Sequence, residues 1–218
     1  MSRVRQHVNP LNIRYSTPAT PPQWADVFAQ PHQPLHIDIG CAKGYFISDM
    51  AQLCPDWNFL GLEIREPLVE QCLRHRDRLG LQNLHILFCN ANNSLRPLLA
   101  SLPQPPQRVS IQFPDPWFKK RHQKRRVVQP DLVTVLADFM RPGAWVWLQS
   151  DVESVAVDMV ETFAHHDRFR RSFDSPHLAA PDTTGPWLAD NPLPAMTDRE
   201  RVTLDQGKPV YRALFVKV

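Results

Sequence analysis

The sequence predicts an α/β fold, a mostly parallel sheet with helices on both faces. Short runs in which β-branched and aromatic residues alternate with others recur along the chain, and between them lie longer segments with apolar residues at i, i+3 and i+4. Strands alternating with helices in this way imply a parallel sheet. The first strand also runs straight into a glycine turn and a helix start, the opening unit of a nucleotide-type fold, in which small residues let the backbone approach a ligand.

The 218 residues suffice for one good core, and two full domains would be cramped. Residues 35–218 are therefore expected to form a single domain. Residues 1–34 carry Arg3, Arg5, Arg14 and five prolines from Pro18 on, without an apolar period, and are expected to be a loosely held basic, proline-rich arm. A frayed terminus accounts for them as well as RNA contact does. Lys and Arg exceed Asp and Glu by only 25 to 22, so the informative fact is where the positive charge clusters. No run of eighteen apolar residues occurs and MSRVRQHVNP contains no apolar stretch, which predicts a cytoplasmic protein with no membrane segment. Cys41, Cys54, Cys72 and Cys89 are widely spaced without C-x-x-C, so reduced buried thiols are expected and no metal site. Twenty-two prolines against seven glycines imply stiff loops.

Element by element, residues 35–39 alternate as a strand and lead into Gly40-Cys41-Ala42-Lys43-Gly44, after which Phe46, Ile47, Met50, Ala51 and Leu53 share a helical face. Residues 57–62 form a second strand ending at Glu63, about twenty residues past the glycine turn, where such folds place a carboxylate against ribose hydroxyls. Pro67 starts a helix that Gly80 stops. Residues 84–88 are a third strand, ending at Asn90, which suits an adenine edge and a helix cap equally. Val109, Ile111 and Phe113 make the fourth strand, and Pro130 opens a helix that Pro142-Gly143 ends. Residues 144–148 are a fifth strand. Ser150 and Glu153 fit a capping box for the following helix, which leaves Asp151 free for a ligand. Residues 168–173 and 210–218 supply the last strands, around a proline-rich loop in which Trp187 suits a packing anchor better than a stacking platform.

The densest chemistry lies in RVSIQFPDPWFKKRHQKRRVV, residues 108–128. Pro114 and Pro116 bracket Asp115, so the chain bends with its carboxylate held at the turn. Trp117 and Phe118 follow, then a basic run of residues 119–126 in which Lys119, Lys120, Arg121, Lys124, Arg125 and Arg126 are cationic. Six cations in eight positions repel one another unless an anion is near, and the adjoining aromatic rings favour nucleic acid over a bland solvated loop. Thr197 and Glu200 match a capping box, but residues 201–205 show no helical apolar face.

Five places together resemble the bacterial tRNA (guanine-N7)-methyltransferases: Asp38-Ile39-Gly40 through Gly44, Gly61-Leu62-Glu63, Asn90, Phe113-Pro114-Asp115-Pro116-Trp117 with its basic tail, and Thr197-Asp198-Arg199-Glu200. The PDPW element is highly specific, and the likeness runs from Leu35 to the C-terminus. It implies a Rossmann-like class I methyltransferase fold whose last strand is antiparallel, and transfer of a methyl group from S-adenosyl-L-methionine to N7 of guanine 46 in the variable loop of tRNA. Asp38, Gly40, Gly44, Glu63, Asn90 and Asp115 would bind the cofactor, with Asp115 also catalytic. Lys119, Asp151, Thr197, Asp198, Arg199 and Glu200 would meet the substrate, and the basic run the tRNA. The family usually has Glu at the place of Asp38 and Gly at that of Ala42, commonly an aromatic residue at that of Arg199, and often Asp at that of Asn90. Monomer and homodimer are both compatible with the sequence. A nicotinamide enzyme is disfavoured by the missing third glycine and by Asp38 ahead of the turn, which would repel a diphosphate. A non-catalytic RNA-binding module on the same fold remains the other alternative.

Overall fold

The computed structural model describes residues 8–173 and 186–218. Arg3, Arg5 and part of the proline-rich loop before Trp187 lie outside the described residues. The strands are β1 (Leu35–Ile39), β2 (Asn58–Glu63), β3 (Leu84–Phe88), β4 (Arg108–Gln112), β5 (Trp145–Ser150), β6 (Phe169–Ser172) and β7 (Tyr211–Lys217). They form one sheet in the order β3-β2-β1-β4-β5-β7-β6. Pairing is parallel from β3 through β5, and β7 runs antiparallel between β5 and β6.

Strands β1, β2 and β5 are buried at every position, so both faces of the sheet need cover. On one face, α4 (Ala91–Ser101), α5 (Pro130–Phe139) and α6 (Glu153–Ala164) pack over Ile37, Val109, Val146 and Phe215. On the other, α2 (Tyr45–Leu53) and α3 (Glu66–Leu79) pack with Leu188 and Leu193 over Phe59, Ile86, Trp147 and Leu214. Helix boundaries follow local chemistry. Prolines stand in the first turns of α3 and α5, and Gly80, at φ +65°, ends α3 in the left-handed conformation.

Three expectations need correction. Residues 8–34 are not loosely held: the short helix α1 (Trp24–Val27) carries Trp24, which with Phe28 is buried in the main core, and the Trp24 indole donates to Ser101 Oγ at 3.0 Å. The aromatic pair was hidden among prolines, without a period to reveal it. Residues 198–205 do form a helix, α7 (Asp198–Asp205), whose Glu200 N–H donates to Thr197 Oγ1. It is anchored through polar Glu200 and Thr203, so an apolar face was the wrong signal. The Ser150–Glu153 capping box is absent. Ser150 Oγ accepts from Val152 N–H, and α6 begins at Glu153 with no side-chain cap.

The chain runs from β1 to β2 on one side and returns to β4 on the other, so a crevice opens at the carboxyl ends of β1 and β4. Ligands of open α/β sheets bind at this switch point.

Candidate cofactor and acceptor site

The turn after β1 lies at the centre of that crevice. Gly40 (φ +85°) and Gly44 (φ +69°) both adopt the left-handed backbone that favours glycine. A Cβ at Gly44 would come within 2.7 Å of Cys72 Sγ, whereas one at Gly40 would point into open space and fill the cradle. Ala42 also has positive φ (51°), a conformation that costs an L-residue about 1 kcal/mol. Its N–H donates to Glu63 Oε2 at 2.9 Å, so the turn and the end of β2 are tied together.

Glu63 is buried and accepts from Arg65 as well, from the backbone N–H (2.8 Å) and Nε (2.9 Å) to Oε1 and from a terminal nitrogen (3.0 Å) to Oε2. Burial works against the Arg65 charge, but the carboxylates of Glu63 and Asp115 outweigh it and raise its pKa. Arg65 lines the cleft between those carboxylates.

Asp38 sits on β1 beneath the turn. Its Oδ1 accepts from Ser110 Oγ at 2.6 Å and from Gln112 Nε2 at 3.2 Å. Burial pushes its carboxyl up to about 6, the two hydrogen bonds oppose this, and the nearby Glu63 adds to it. Behind it, His36 Nε2 lies 2.9 Å from Ser110 Oγ. The Ser110 proton is committed to Asp38, so His36 donates, as a neutral ring whose pKa burial and Arg108 push down to about 3. In the other direction Gln149 Nε2 donates to Gln112 Oε1 (2.7 Å) and to Glu200 Oε2 (3.0 Å). A polar chain thus runs from His36 through Asp38 to Glu200 on α7.

Asp115 stands at the end of β4 in a tightly specified loop. Phe113 and Trp117 on either side both have positive φ (48° and 43°), a sparsely populated backbone for aromatic residues that persists because surrounding contacts hold it. Phe113 N–H donates to Gln149 O, and Arg126 Nε donates to Pro116 O at 2.9 Å. Arg126 is buried and also pairs with Asp158, so this member of the basic run is a peg for the loop. Arg125 lies 4.9 Å from the Trp117 ring centroid. Lys119, Lys120, Arg121 and Lys124 remain exposed around a 3-10 turn, Lys120–Arg125, beside Phe118, which is 71% exposed.

Two adjoining hollows with a shared wall make up a cleft around these groups. Its inner part is lined by Glu63, Arg65, Asn90 and Asp115, and its outer part by Asp38, Gly44, Phe118 and Asp151 with Thr197, Asp198 and Arg199. Gly40 and Asp115 border both parts. Asp151 accepts from Arg199 Nε at 2.8 Å, which ties the end of β5 to α7. Two expected site residues do not line the cleft. Lys119 is on the outer surface. Glu200 is fully buried, with Oε1 on Arg212 (2.9 Å) and Oε2 on Asn191 (2.9 Å) and Gln149. The sequence reading missed Arg65, Ser110, Gln112 and Gln149. A run of polar residues recurring within otherwise apolar strands was the available signal for the last three. Among the described residues, no group of three His, Cys, Asp or Glu side chains is placed to hold a metal ion.

A switch-point cleft lined by carboxylates, on a seven-stranded sheet with its last strand antiparallel, defines a methyltransferase of the Rossmann-like class. The fold is shared with the aminoglycoside resistance methyltransferase NpmB1 (TM-score 0.58, 16% identity, 87% of this chain and 89% of that one). It is shared also with precorrin-6y C5,15-methyltransferase from Geobacter metallireducens (TM-score 0.54, 13% identity, 85% and 81%). The model of a family described as putative methyltransferase matches residues 32–213. Relatives named tRNA (guanine-N(7)-)-methyltransferase occur in Trichormus variabilis, at 57% identity over 99% of this chain and 96% of that one, and in Synechocystis, at 52% over 97% and 96%. The chain belongs to this methyltransferase family, the tRNA (guanine-N7)-methyltransferases.

Proposed function

We propose that the protein transfers a methyl group from S-adenosyl-L-methionine to N7 of guanine 46 in the variable loop of tRNA, in the cytoplasm. The observation that carries this reading is the clustering of Asp38, Glu63 and Asp115 around one cleft, with exposed cations at its outer edge. Carboxylates fit a cationic sulfonium and an ammonium and repel a diphosphate, and the open space at Gly40 leaves room for a ligand against the turn. The relatives' names support tRNA and guanine N7 as substrate and acceptor.

When bound, S-adenosylmethionine supplies an electrophilic methyl group. All four lone-pair sites of the Glu63 carboxylate are engaged by Ala42 N–H and Arg65, so ribose hydroxyls would bind there in exchange for contacts of the Arg65 guanidinium. Asp38, once ionised, balances the ligand's positive charge. Guanine N7 presents a lone pair with no hydrogen, so no side chain has to remove a proton before attack. The work left to the protein is alignment and stabilisation of the positive charge that moves onto the purine. Asp115, held at its turn by flanking prolines, Arg126 and Gln149, is the residue assigned to this. Asp151, Thr197, Asp198 and Arg199 border the acceptor side. Lys119 with its exposed neighbours meets phosphate, and Phe118 offers a ring for base stacking. Glu200 acts from beneath by fixing α7.

Radiolabelled methyl transfer to unmodified tRNA, with the product nucleotide mapped, tests the reading. Label as N7-methylguanine at position 46, lost when that guanine is replaced by adenine, is expected. Binding of tRNA without transfer would favour a non-catalytic RNA-binding module.

A further inference from the structure

The inner part of the cleft has a wall from an unexpected source. Val8 and Pro10 line it together with Glu63 and Asn90, although both precede β1 by more than twenty residues. The segment carrying them is fastened to the first turn of α4. Asn90 Nδ2 donates to Pro10 O (3.1 Å) and Tyr15 O (3.4 Å), Asn93 Nδ2 donates to Tyr15 O (2.7 Å), and Ala19 N–H donates to Ser94 Oγ (3.0 Å). Ser94 Oγ in turn donates to Asn93 Oδ1 (2.8 Å), which fixes the direction of that amide. The far side is held by Arg14 on Glu66 (2.7 Å) and by the Tyr15 ring standing edge-on to Phe88, with centroids 6.3 Å apart. The segment therefore bridges α4 and the start of α3 across the ends of β2 and β3.

We infer that residues 8–19 form the outer wall of the site for the cofactor's adenine, and that Asn90, Asn93 and Ser94 are positioning residues that hold this wall against the base. The inference rests on the cofactor reading above. Val8 and Pro10 add apolar surface to the same hollow that Glu63, the proposed ribose partner, and Asn90 line, and Pro10 is held directly against Asn90. A flat ring gains by burying both faces, and an unanchored segment would have to be ordered at each binding event at a cost in affinity. On this account the Asn90 amide faces two carbonyls as a donor, which a carboxylate cannot do.

Asn93 does not line the cleft, so its effect on cofactor affinity has to pass through the wall. The test is calorimetry of S-adenosylhomocysteine binding to Asn93→Ala, paired with amide hydrogen exchange. Expected are faster exchange over residues 9–16, an affinity lower by about tenfold, and unchanged affinity for tRNA. Asn90→Asp is the second variant, in case the first is poorly folded: it preserves an acceptor for an adenine amino group but removes both donations to the segment, and the same loss is expected. Faster exchange with full affinity would overturn the wall, and unchanged exchange would overturn the anchoring. Glu63→Gln separates the two readings. Wild-type protein that fails to bind the ligand sinks the cofactor assignment itself. If wild type binds and Glu63→Gln weakens it while the two asparagine variants do not, the wall alone is wrong.

Discussion

Asp38 carries a charge that its surroundings resist. With its carboxyl raised to about 6 from the ordinary aspartate value of 3.8, the folded ligand-free chain keeps the proton where the unfolded chain has lost it. The stability this confers is complete below the unfolded value and is lost as pH rises through about 6. A cationic ligand reverses the preference, so S-adenosylmethionine binding near pH 6 should release protons and tighten as pH rises from 5 to 7. Calorimetry in buffers of different ionisation enthalpy reads this directly, and Asp38→Asn should abolish the release. Asp115 has a different task. Asp115→Ala should lower single-turnover methylation by roughly 10²-fold, about 2.7 kcal/mol, with the fold intact by circular dichroism. Glu200 and Asp151 separate in the same spirit. Glu200→Gln strips charge from a buried pair with Arg212 and should destabilise the protein by about 3 kcal/mol in denaturant titrations. Asp151→Asn breaks a pair with an exposed arginine and should cost less than about 1 kcal/mol while lowering transfer to tRNA.

At the scale of elements, the basic run is two structures. Arg126 and Arg125 serve the Asp115 loop, one as a buried peg and the other over Trp117, while Lys119, Lys120, Arg121 and Lys124 face solvent. Neutralising the four exposed cations should weaken tRNA binding and reduce its log–log salt slope by about 0.7–0.9 for each phosphate that is no longer neutralised, with cofactor affinity unchanged. An unaltered slope would mean that the turn is not a phosphate site. Strands β1, β2 and β4 were the most legible, because alternation ending in Gly, Pro or a carboxylate is a local signal and Gly40, Glu63 and Asp115 stood at those ends. Helix α7 and the segment before β1 were not legible. Their places are set by polar contacts to residues far along the chain, Glu200 to Arg212 and Gln149, Asn93 to Tyr15. Local period carries no trace of such partners. Ser150 shows the converse failure: the capping pattern is present, yet the hydroxyl is used two residues on and the helix starts later.

For the whole molecule, the order of strands decides what meets at the cleft. Because β1 lies between β2 and β4, Asp38 is flanked by the strands that end in Glu63 and lead to Asp115, and β5 beyond brings Asp151 and Gln149. The chain of hydrogen bonds from His36 to Glu200 crosses β1, β4 and β5, so the floor of the proposed cofactor site and the anchor of the acceptor side share one polar layer. This arrangement is built for alignment, as attack by a lone pair that needs no base requires. The central claim is that guanine N7 is the attacking atom. It is tested most directly by single-turnover methyl transfer to tRNA whose guanosine 46 is replaced by 7-deazaguanosine, which keeps the pairing edge and removes the lone pair. Loss of transfer with tRNA binding retained is the predicted result, and continued methylation of that nucleotide would contradict it.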